Sequence, residues 1–150
     1  MTNTAIRVSA GVLTRANQLL ICQRKGTDQR GQIDQHALKW EFPGGKAEPG
    51  EDDATCLRRE LQEELGVDAT IGEVVLHKSH TYPTGRSVAL TFFHVPAYTG
   101  ELTNRVFASV TWVEPQQLPS YDFLEGDRDF IEALARGEWA QLFQHYQQNQ

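Results

Sequence analysis

The feature that most constrains this chain is a group of glutamates at helical spacing, Glu60, Glu63 and Glu64. On a helix of 3.6 residues per turn, residues three and four apart lie side by side, so these carboxylates share one face. Like charges at this spacing repel one another, and the repulsion grows where solvent is excluded. Such a cluster is typical of a site for a hard divalent cation, and ligands that are all oxygen favour Mg²⁺ or Mn²⁺ over Zn²⁺.

The residues around these acids form the apolar stripe of a helix that packs on a core. Polar residues occupy the opposite face, so the acids lie beside the buried stripe, where the edge of a groove is expected. Asp52 is the predicted N-cap of this helix, and Gly66 follows the last apolar residue as its stop. The members of the stripe are Ala54, Leu57, Leu61 and Leu65.

A glutamate-rich helix with a solvated face is the alternative, because charge runs are usually solvated. The wider spacing argues against it. Gly45 is followed by five residues, Glu51, seven residues, and then Arg59 to Val67 (RELQEELGV). Seven specified residue types and two apolar positions should match by chance about once in 10⁹ starting points, with each specified type at about 7% usage. The pattern therefore indicates a functional site.

The spacing from Gly45 to Val67 resembles the box of the Nudix hydrolase family, with every specified position filled. The segment before it, residues 40–51 (WEFPGGKAEPGE), is similar to members of MutT type, which hydrolyse nucleoside triphosphates to a monophosphate and pyrophosphate. The resemblance implies one Nudix domain over residues 1–150, with an α/β (α+β) fold in which a mixed β-sheet is sandwiched between helices. It also implies a hydrolase that depends on Mg²⁺, with Mn²⁺ as a substitute.

The resemblance assigns metal ligands position by position. It implies that Glu63 and Glu64 are the principal ligands, helped by the carbonyl of Gly44. Glu60 would contact the metal through water or act as the base. The base is left open between Glu60 and Glu63, because Nudix enzymes differ on this point.

The resemblance also implies supporting roles for two further residues of the box. Arg59 would hold the carboxylates by charge-assisted bonds, and Glu51 would pair with Arg59 and fix the loop before the helix. Water is the expected nucleophile, because no Ser/His/Asp or Cys/His arrangement is evident in the sequence.

The chain departs from the MutT pattern at one expected ligand. These enzymes usually supply a further glutamate about six residues before a late tryptophan, and counting back from Trp112 reaches Val106, which cannot ligate a metal. Glu101 lies nearby as a possible substitute, or water completes the shell. The polar loop of residues 25–39 is also longer than in compact members, so substrate contacts are not transferred to it.

Four residues are candidates for contact with a nucleotide. Arg24 ends the second predicted strand, where family members present a cation to phosphate, and Lys46 follows the glycine pair; a solvated side chain is the alternative for each. Phe42 could stack on a base, although a core aromatic is the favoured interpretation. Asp127 occupies the place where MutT-type enzymes keep an amide that reads an oxidised guanine, and a cap of the closing helix is its alternative.

The pattern of apolar and turn residues predicts strands on both sides of the acidic helix, then a closing helix around Phe130 that Gly137 ends. The two prolines Pro115 and Pro119 bracket a predicted loop. The tail from about His145 is polar and is expected to fray. The predicted strands are residues 6–14, 18–23, 40–42, 70–82, 86–97 and 110–113, of which 70–82 and 86–97 form a hairpin.

Charge and cysteine content restrict the partners. A net charge of −6 argues against binding of a nucleic acid polymer, whereas metal ions and local cations would neutralise the phosphates of a nucleotide. No signal peptide or long apolar run predicts a membrane location. Cys22 and Cys56 give no disulfide framework, so a reducing, cytoplasmic setting is expected, with the protein as monomer or homodimer.

Three functions are compatible with these residues. The first is Mg²⁺-dependent hydrolysis of a nucleoside triphosphate, either an oxidised purine or a pyrimidine nucleotide, to a monophosphate and pyrophosphate. The second keeps the chemistry and takes ADP-ribose or a dinucleoside polyphosphate. The third is a non-catalytic nucleotide sensor, which the intact box disfavours.

Overall fold

The computed structural model describes residues 5–143. Backbone contacts group these residues into two compact units, each built from segments that are distant in sequence. The first unit comprises residues 5–12 and 43–103, and the second comprises residues 13–42 and 104–143. Strand β1 (Ile6–Arg15) continues from the first into the second. One domain over residues 1–150 stays a prediction, and the tail predicted from His145 lies outside the described residues.

The first unit is a set of strands with one long helix. The strands of this unit besides β1 are β4 (Gly44–Lys46), β5 (Asp68–Thr70), β6 (Val74–Thr81), β7 (Ser87–Val95) and β8 (Ala97–Thr99). The first half of β1 pairs antiparallel with β4, where Ser9 faces Gly45. It also neighbours β7, which forms an antiparallel hairpin with β6. Strands β5 and β8 pair separately as a two-stranded sheet.

The predicted hairpin is confirmed, but the prediction of a single strand over residues 70–82 is wrong at its start. The chain leaves the strand at Gly72, whose N–H donates to the carbonyl of His94 at 2.7 Å. A Cβ at Gly72 would lie 2.8 Å from that oxygen, so the close approach requires glycine. The register also shifts between Val74 and Leu76. The break separates β5 from β6.

Helix α1 (Asp53–Leu65) carries the acidic cluster and ends where the sequence predicts. The side chain of Asp52 accepts from the N–H of Thr55 at 2.8 Å, which caps the first turn. Gly66 adopts a left-handed φ of 71°, and its N–H donates to the carbonyl of Gln62, which stops the helix. The helix packs against β4 and β5. Its buried residues are Cys56, Leu57, Leu61 and Leu65.

The second unit is built around a central strand. Strand β2 (Gln18–Gln23) continues from the end of β1 through a tight turn and pairs antiparallel with β3 (Trp40–Glu41) and β9 (Ser109–Val113). The predicted loop between the two prolines is instead a 3₁₀ helix, Pro115–Ser120. The cause is a local cap, because Glu114 and Gln117 bond each other's backbone N–H groups.

The closing helix α2 (Arg128–Ala135) confirms the predicted last element. Gly137 follows it with a φ of 87°, as expected for the residue that ends a helix. The ring of Phe130 packs on Phe42, which in turn packs on Phe123, with centroids 5.7 and 5.9 Å apart. Strands paired into a large sheet together with a few helices confirm the mixed α+β class. None of the helices described here is long and apolar enough to cross a membrane.

Candidate active site

The guanidinium of Arg59 joins the carboxylates of the box. Its Nε and Nη2 donate to the two oxygens of Glu51 at 2.8 and 3.0 Å, which confirms the predicted pair. Its Nη1 donates to Glu60 at 2.9 Å and to Glu63 at 3.3 Å. The bonds from Arg59, with one from the N–H of Glu48, hold the pKa of Glu51 at about 2. Arg59 therefore neutralises charge that would otherwise separate these side chains.

The carboxyl group of Glu60 lies close to the backbone of Gly45 on β4. Burial raises the pKa of Glu60 from its ordinary value, and the bond from Arg59 opposes this shift. A Cβ at Gly45 would overlap the carboxyl group of Glu60. The first glycine of the box therefore leaves the space that this carboxylate occupies.

Replacing Gly45 by alanine should displace Glu60 and lower kcat by about 10- to 100-fold, because reacting groups tolerate little misplacement. The free energy of unfolding should fall by less than about 2 kcal/mol, since the end of a flexible side chain can move. Steady-state kinetics and urea unfolding measure both. Gly26→Ala is the control, because a Cβ there meets nothing within 4 Å. Unchanged kcat in Gly45→Ala would contradict this account.

Gly44 connects β4 to the last glutamate of the cluster. Its N–H donates to Oε1 of Glu64 at 3.1 Å. Its φ is 157°, and a Cβ at this position would overlap the carbonyl of Ser9 on β1. The close pairing of β4 with β1 therefore fixes the backbone that Glu64 contacts.

The carboxylates of the helix suit Mg²⁺ or Mn²⁺ by their chemistry, because every donor is an oxygen. Within residues 5–143, no group of three His, Cys, Asp or Glu side chains is arranged to hold a metal ion. Arg59 binds Glu60 and Glu63, while Glu64 accepts from the N–H of Gly44. The side chain of Glu63 is 57% exposed, so it has room to turn. The donor set fits the ion, and ligation by Glu60, Glu63, Glu64 and the carbonyl of Gly44 stays a prediction.

The second unit contains a different polar cluster around Arg24. Its Nε and Nη2 donate to both oxygens of Asp34 at 2.7 and 3.1 Å, and its Nη1 donates to Glu41 at 3.3 Å. Burial raises the pKa of Glu41 to about 7, and the negative charge of Asp127 adds to this shift. Arg24 is thus bound to carboxylates, and its contact with phosphate stays a prediction.

Glu41 was missed by the analysis of the sequence. Its signal is a carboxylate between two aromatic residues, Trp40 and Phe42, at a short strand. An ionisable side chain there must face either solvent or a buried partner, and the structure shows that it is largely buried beside Arg24. A carboxyl group with such a raised pKa is a candidate for recognition.

The pKa of Glu41 predicts a dependence of stability on pH. Its folded pKa of about 7 lies above the ordinary 4.5, so folding favours the protonated form. The free energy of unfolding should therefore fall as pH rises from about 4.5 to 7, by about 3 kcal/mol at most. In Glu41→Gln this contribution is absent, and urea unfolding across this range measures it.

The control for this titration is Glu101→Gln, which changes an exposed carboxylate and should follow the wild-type curve. The comparison of Glu41→Gln with wild type cancels the other titrating groups, which both proteins share. If the free energy of unfolding depended on pH in the same way in Glu41→Gln and in wild type, the raised pKa of Glu41 would be contradicted.

The remaining predicted contacts lie in different environments. Phe42 is 4% exposed and packs among aromatic rings, which confirms the favoured interpretation that it is a core residue. Stacking of Phe42 on a base stays a prediction. Lys46 is exposed, and its carbonyl accepts from Arg59 at 3.0 Å. Asp127 is 7% exposed at the N-cap position of α2, where its side chain makes no capping bond. The alternative of a simple cap is therefore wrong.

The expected further ligand has no counterpart at the predicted position. Val106 is 42% exposed and carries no ligand atom in its side chain. Glu101 is also exposed, in the first unit, and its substitution for the missing acid stays a prediction.

Comparison with known proteins gives relatives along most of the chain. The NUDIX domain family matches residues 5–134. The chain is 37% identical over 129 residues to the CTP pyrophosphohydrolase of Escherichia coli K12, covering 86% of this chain and 90% of that protein. It is 36% identical over 106 residues to an 8-oxo-dGTP diphosphatase of Proteus vulgaris, covering 70% of this chain and 88% of that protein.

Solved structures have the same fold. The solution structure of the E. coli ORF135 protein superposes with a TM-score of 0.75 at 34% identity, covering 91% of this chain and 92% of the other. A MutT structure from work on Aliivibrio salmonicida and Vibrio cholerae gives a TM-score of 0.72 at 26% identity, covering 89% and 98%. With the filled box and its glutamates joined by Arg59, these matches show that the chain belongs to the Nudix family and is a Nudix hydrolase.

Proposed function

We propose that this protein hydrolyses a nucleoside triphosphate to the monophosphate and pyrophosphate, with Mg²⁺ or Mn²⁺ as cofactor. The observation that carries the proposal is that Arg59 binds Glu51, Glu60 and Glu63 next to β4. Relatives that act on CTP and 8-oxo-dGTP support a triphosphate rather than another nucleotide. We expect a single catalytic domain, as the family resemblance implies, and a cytoplasmic location, as the cysteine content predicts.

Transfer of a phosphoryl group to water needs positioning and charge neutralisation more than covalent help. A bound divalent ion supplies the neutralising charge and lowers the pKa of water. Glu60 or Glu63 accepts the proton of the attacking water. Arg59 holds both carboxylates in place by its bonds to Glu60 and Glu63.

We propose that Glu41 and Asp127 read the nucleobase. A carboxyl group with a pKa of about 7 exists in both forms near neutral pH. When protonated it offers one donor beside an acceptor, which complements the amino group and ring nitrogen of cytosine. When ionised it only accepts, which complements the N1–H and the amino group of guanine. This chemistry is compatible with both substrate types named for the relatives.

A panel of substrates in ¹⁸O-labelled water tests the proposal. CTP, dCTP, 8-oxo-dGTP, ADP-ribose and a dinucleoside polyphosphate are incubated with Mg²⁺ at mildly alkaline pH, and products are resolved by chromatography and mass spectrometry. The expected result is pyrophosphate with a labelled product from a triphosphate. Preferential cleavage of ADP-ribose or of the dinucleoside polyphosphate would show that the substrate class is not a nucleoside triphosphate. Tight binding without turnover in either metal would make the protein a sensor.

A further inference from the structure

Arg7, near the start of β1, contacts both ends of the loop formed by residues 47–52. Its carbonyl accepts from the N–H of Ala47 at 2.9 Å, where the loop begins. Its Nη2 donates to the carbonyl of Glu51 at 2.6 Å, and its Nη1 donates to the carboxylate of Asp53 at 2.6 Å. One residue outside the box thus ties the end of this loop and the first turn of α1 to the sheet.

The loop needs such an anchor because its middle is an open turn. Gly50 has a φ of 81°, and a Cβ there would meet nothing within 4 Å. The N–H of Glu51 bonds only locally, to the carbonyl of Glu48 at 3.0 Å. The donor in the short bonds from Arg7 is a charged guanidinium, so these hydrogen bonds are stronger than bonds between neutral groups. Arg7 therefore joins the Glu51 backbone to β1, whereas the side chain of Glu51 bonds to Glu48 and Arg59.

The side chain of Glu51 connects its backbone, through Arg59, to the glutamates of the site. It receives Nε and Nη2 of Arg59 in a bidentate pair, and this geometry fixes the plane of the guanidinium. The remaining nitrogen, Nη1, is then directed at Glu60 and Glu63. The chain of contacts runs from Arg7 through Glu51 and Arg59 to the carboxylates that act on water.

We propose that Arg7 is a positioning residue for hydrolysis: it holds the Glu51 backbone so that Glu51 orients Arg59 toward the catalytic glutamates. The inference rests on the proposed function for the reaction it concerns. The Arg7–Asp53 pair is part exposed, at 41% and 32%, and such pairs contribute little by themselves. The bond to the Glu51 carbonyl is the contact that matters for turnover.

A double-mutant cycle tests this path. Arg7→Met keeps the length of the side chain and removes its donors, so kcat should fall by roughly 5- to 20-fold with KM within about twofold of wild type. In a Glu51→Ala background, where the path is already broken, adding Arg7→Met should change kcat less than about twofold. Equal fold-changes in both backgrounds, or an unchanged kcat in Arg7→Met, would overturn the proposal.

Arg136→Met is the matched control, because Arg136 is exposed and pairs with Glu138 through a similar bond of 2.8 Å. It should leave kcat unchanged. Arg7→Lys covers the case in which Arg7→Met does not fold. Its single ammonium can pair with Asp53 but cannot reproduce the guanidinium fork, so kcat should still fall below wild type. Wild-type kcat in Arg7→Lys would overturn the proposal.

A spectroscopic measurement separates this inference from the proposed reaction. The Nε–H signal of Arg59 is observable by ¹⁵N NMR, and its bond to Glu51 should slow its exchange with water. Arg7→Met, or Arg7→Lys, should accelerate that exchange at least about tenfold, whereas Arg136→Met should not. No turnover by wild type would end the proposed function and leave this readout intact. If the exchange rate of the Arg59 Nε–H were unchanged in Arg7→Met and Arg7→Lys, the proposed role of Arg7 would be overturned.

Discussion

Replacing Glu64 by glutamine should lower kcat by about 10²- to 10⁴-fold and leave the fold intact. The amide oxygen of glutamine can still accept from the N–H of Gly44, so the local structure is preserved while the negative charge is lost. Glu63→Gln should have an effect of the same order, because it also removes a negative charge of the proposed metal site. The fold should again survive, because this carboxylate is exposed and its contacts with Arg59 are long, at 3.3 and 3.4 Å. Steady-state kinetics measure the loss, and circular dichroism with urea unfolding checks the fold.

The control is Glu73→Gln, which removes one negative charge from an exposed position in the same unit. It should keep kcat within about twofold, because a single distant surface charge is screened by salt. If Glu63→Gln and Glu64→Gln both retained wild-type turnover, the assignment of the helix as the catalytic element would be wrong.

Gly44→Ala should cause the largest loss of stability among single methyl additions at residues 44–67, about 3 kcal/mol or more. The new Cβ would overlap the carbonyl of Ser9, a backbone atom held in the pairing of β1 with β4. Relief requires the two strands to separate, because no flexible side chain is available to move. Urea unfolding gives the midpoint and the m-value, from which the free energy follows.

Gly50→Ala separates steric overlap from backbone conformation. Gly50 also has a positive φ, at 81°, but a Cβ there has open space around it. Its cost should be about 1 to 2 kcal/mol, the usual price of a left-handed residue with a Cβ. Equal losses in Gly44→Ala and Gly50→Ala would show that the contact with Ser9 is not the cause.

The acidic helix could be predicted closely because its signals are local. Asp52 and Gly66 act within one turn of the helix they bound, and the apolar stripe repeats inside it. The pair of Glu51 with Arg59 was predicted as well, since the family pattern places both residues in one motif. Such features depend on neighbours within about ten residues.

The features that the sequence could not supply depend on distant partners. The break at Gly72 is set by the approach of the His94 carbonyl, and no period in the sequence reports that approach. The raised pKa of Glu41 depends on its burial beside Arg24, which follows the end of β2 and is distant from Glu41 in sequence. Arg7 contacts a loop more than forty residues away, so its importance became visible only in the folded chain.

The guanidinium at the centre of the acidic cluster has a consequence for the apoprotein. Without a counter-ion, the carboxylates of this cluster would repel one another in the protein that has no bound metal. Because Arg59 already supplies a positive charge to Glu51, Glu60 and Glu63, the folded state has its own counter-ion. Removing the proposed divalent ion should then stop turnover while helix α1 stays folded.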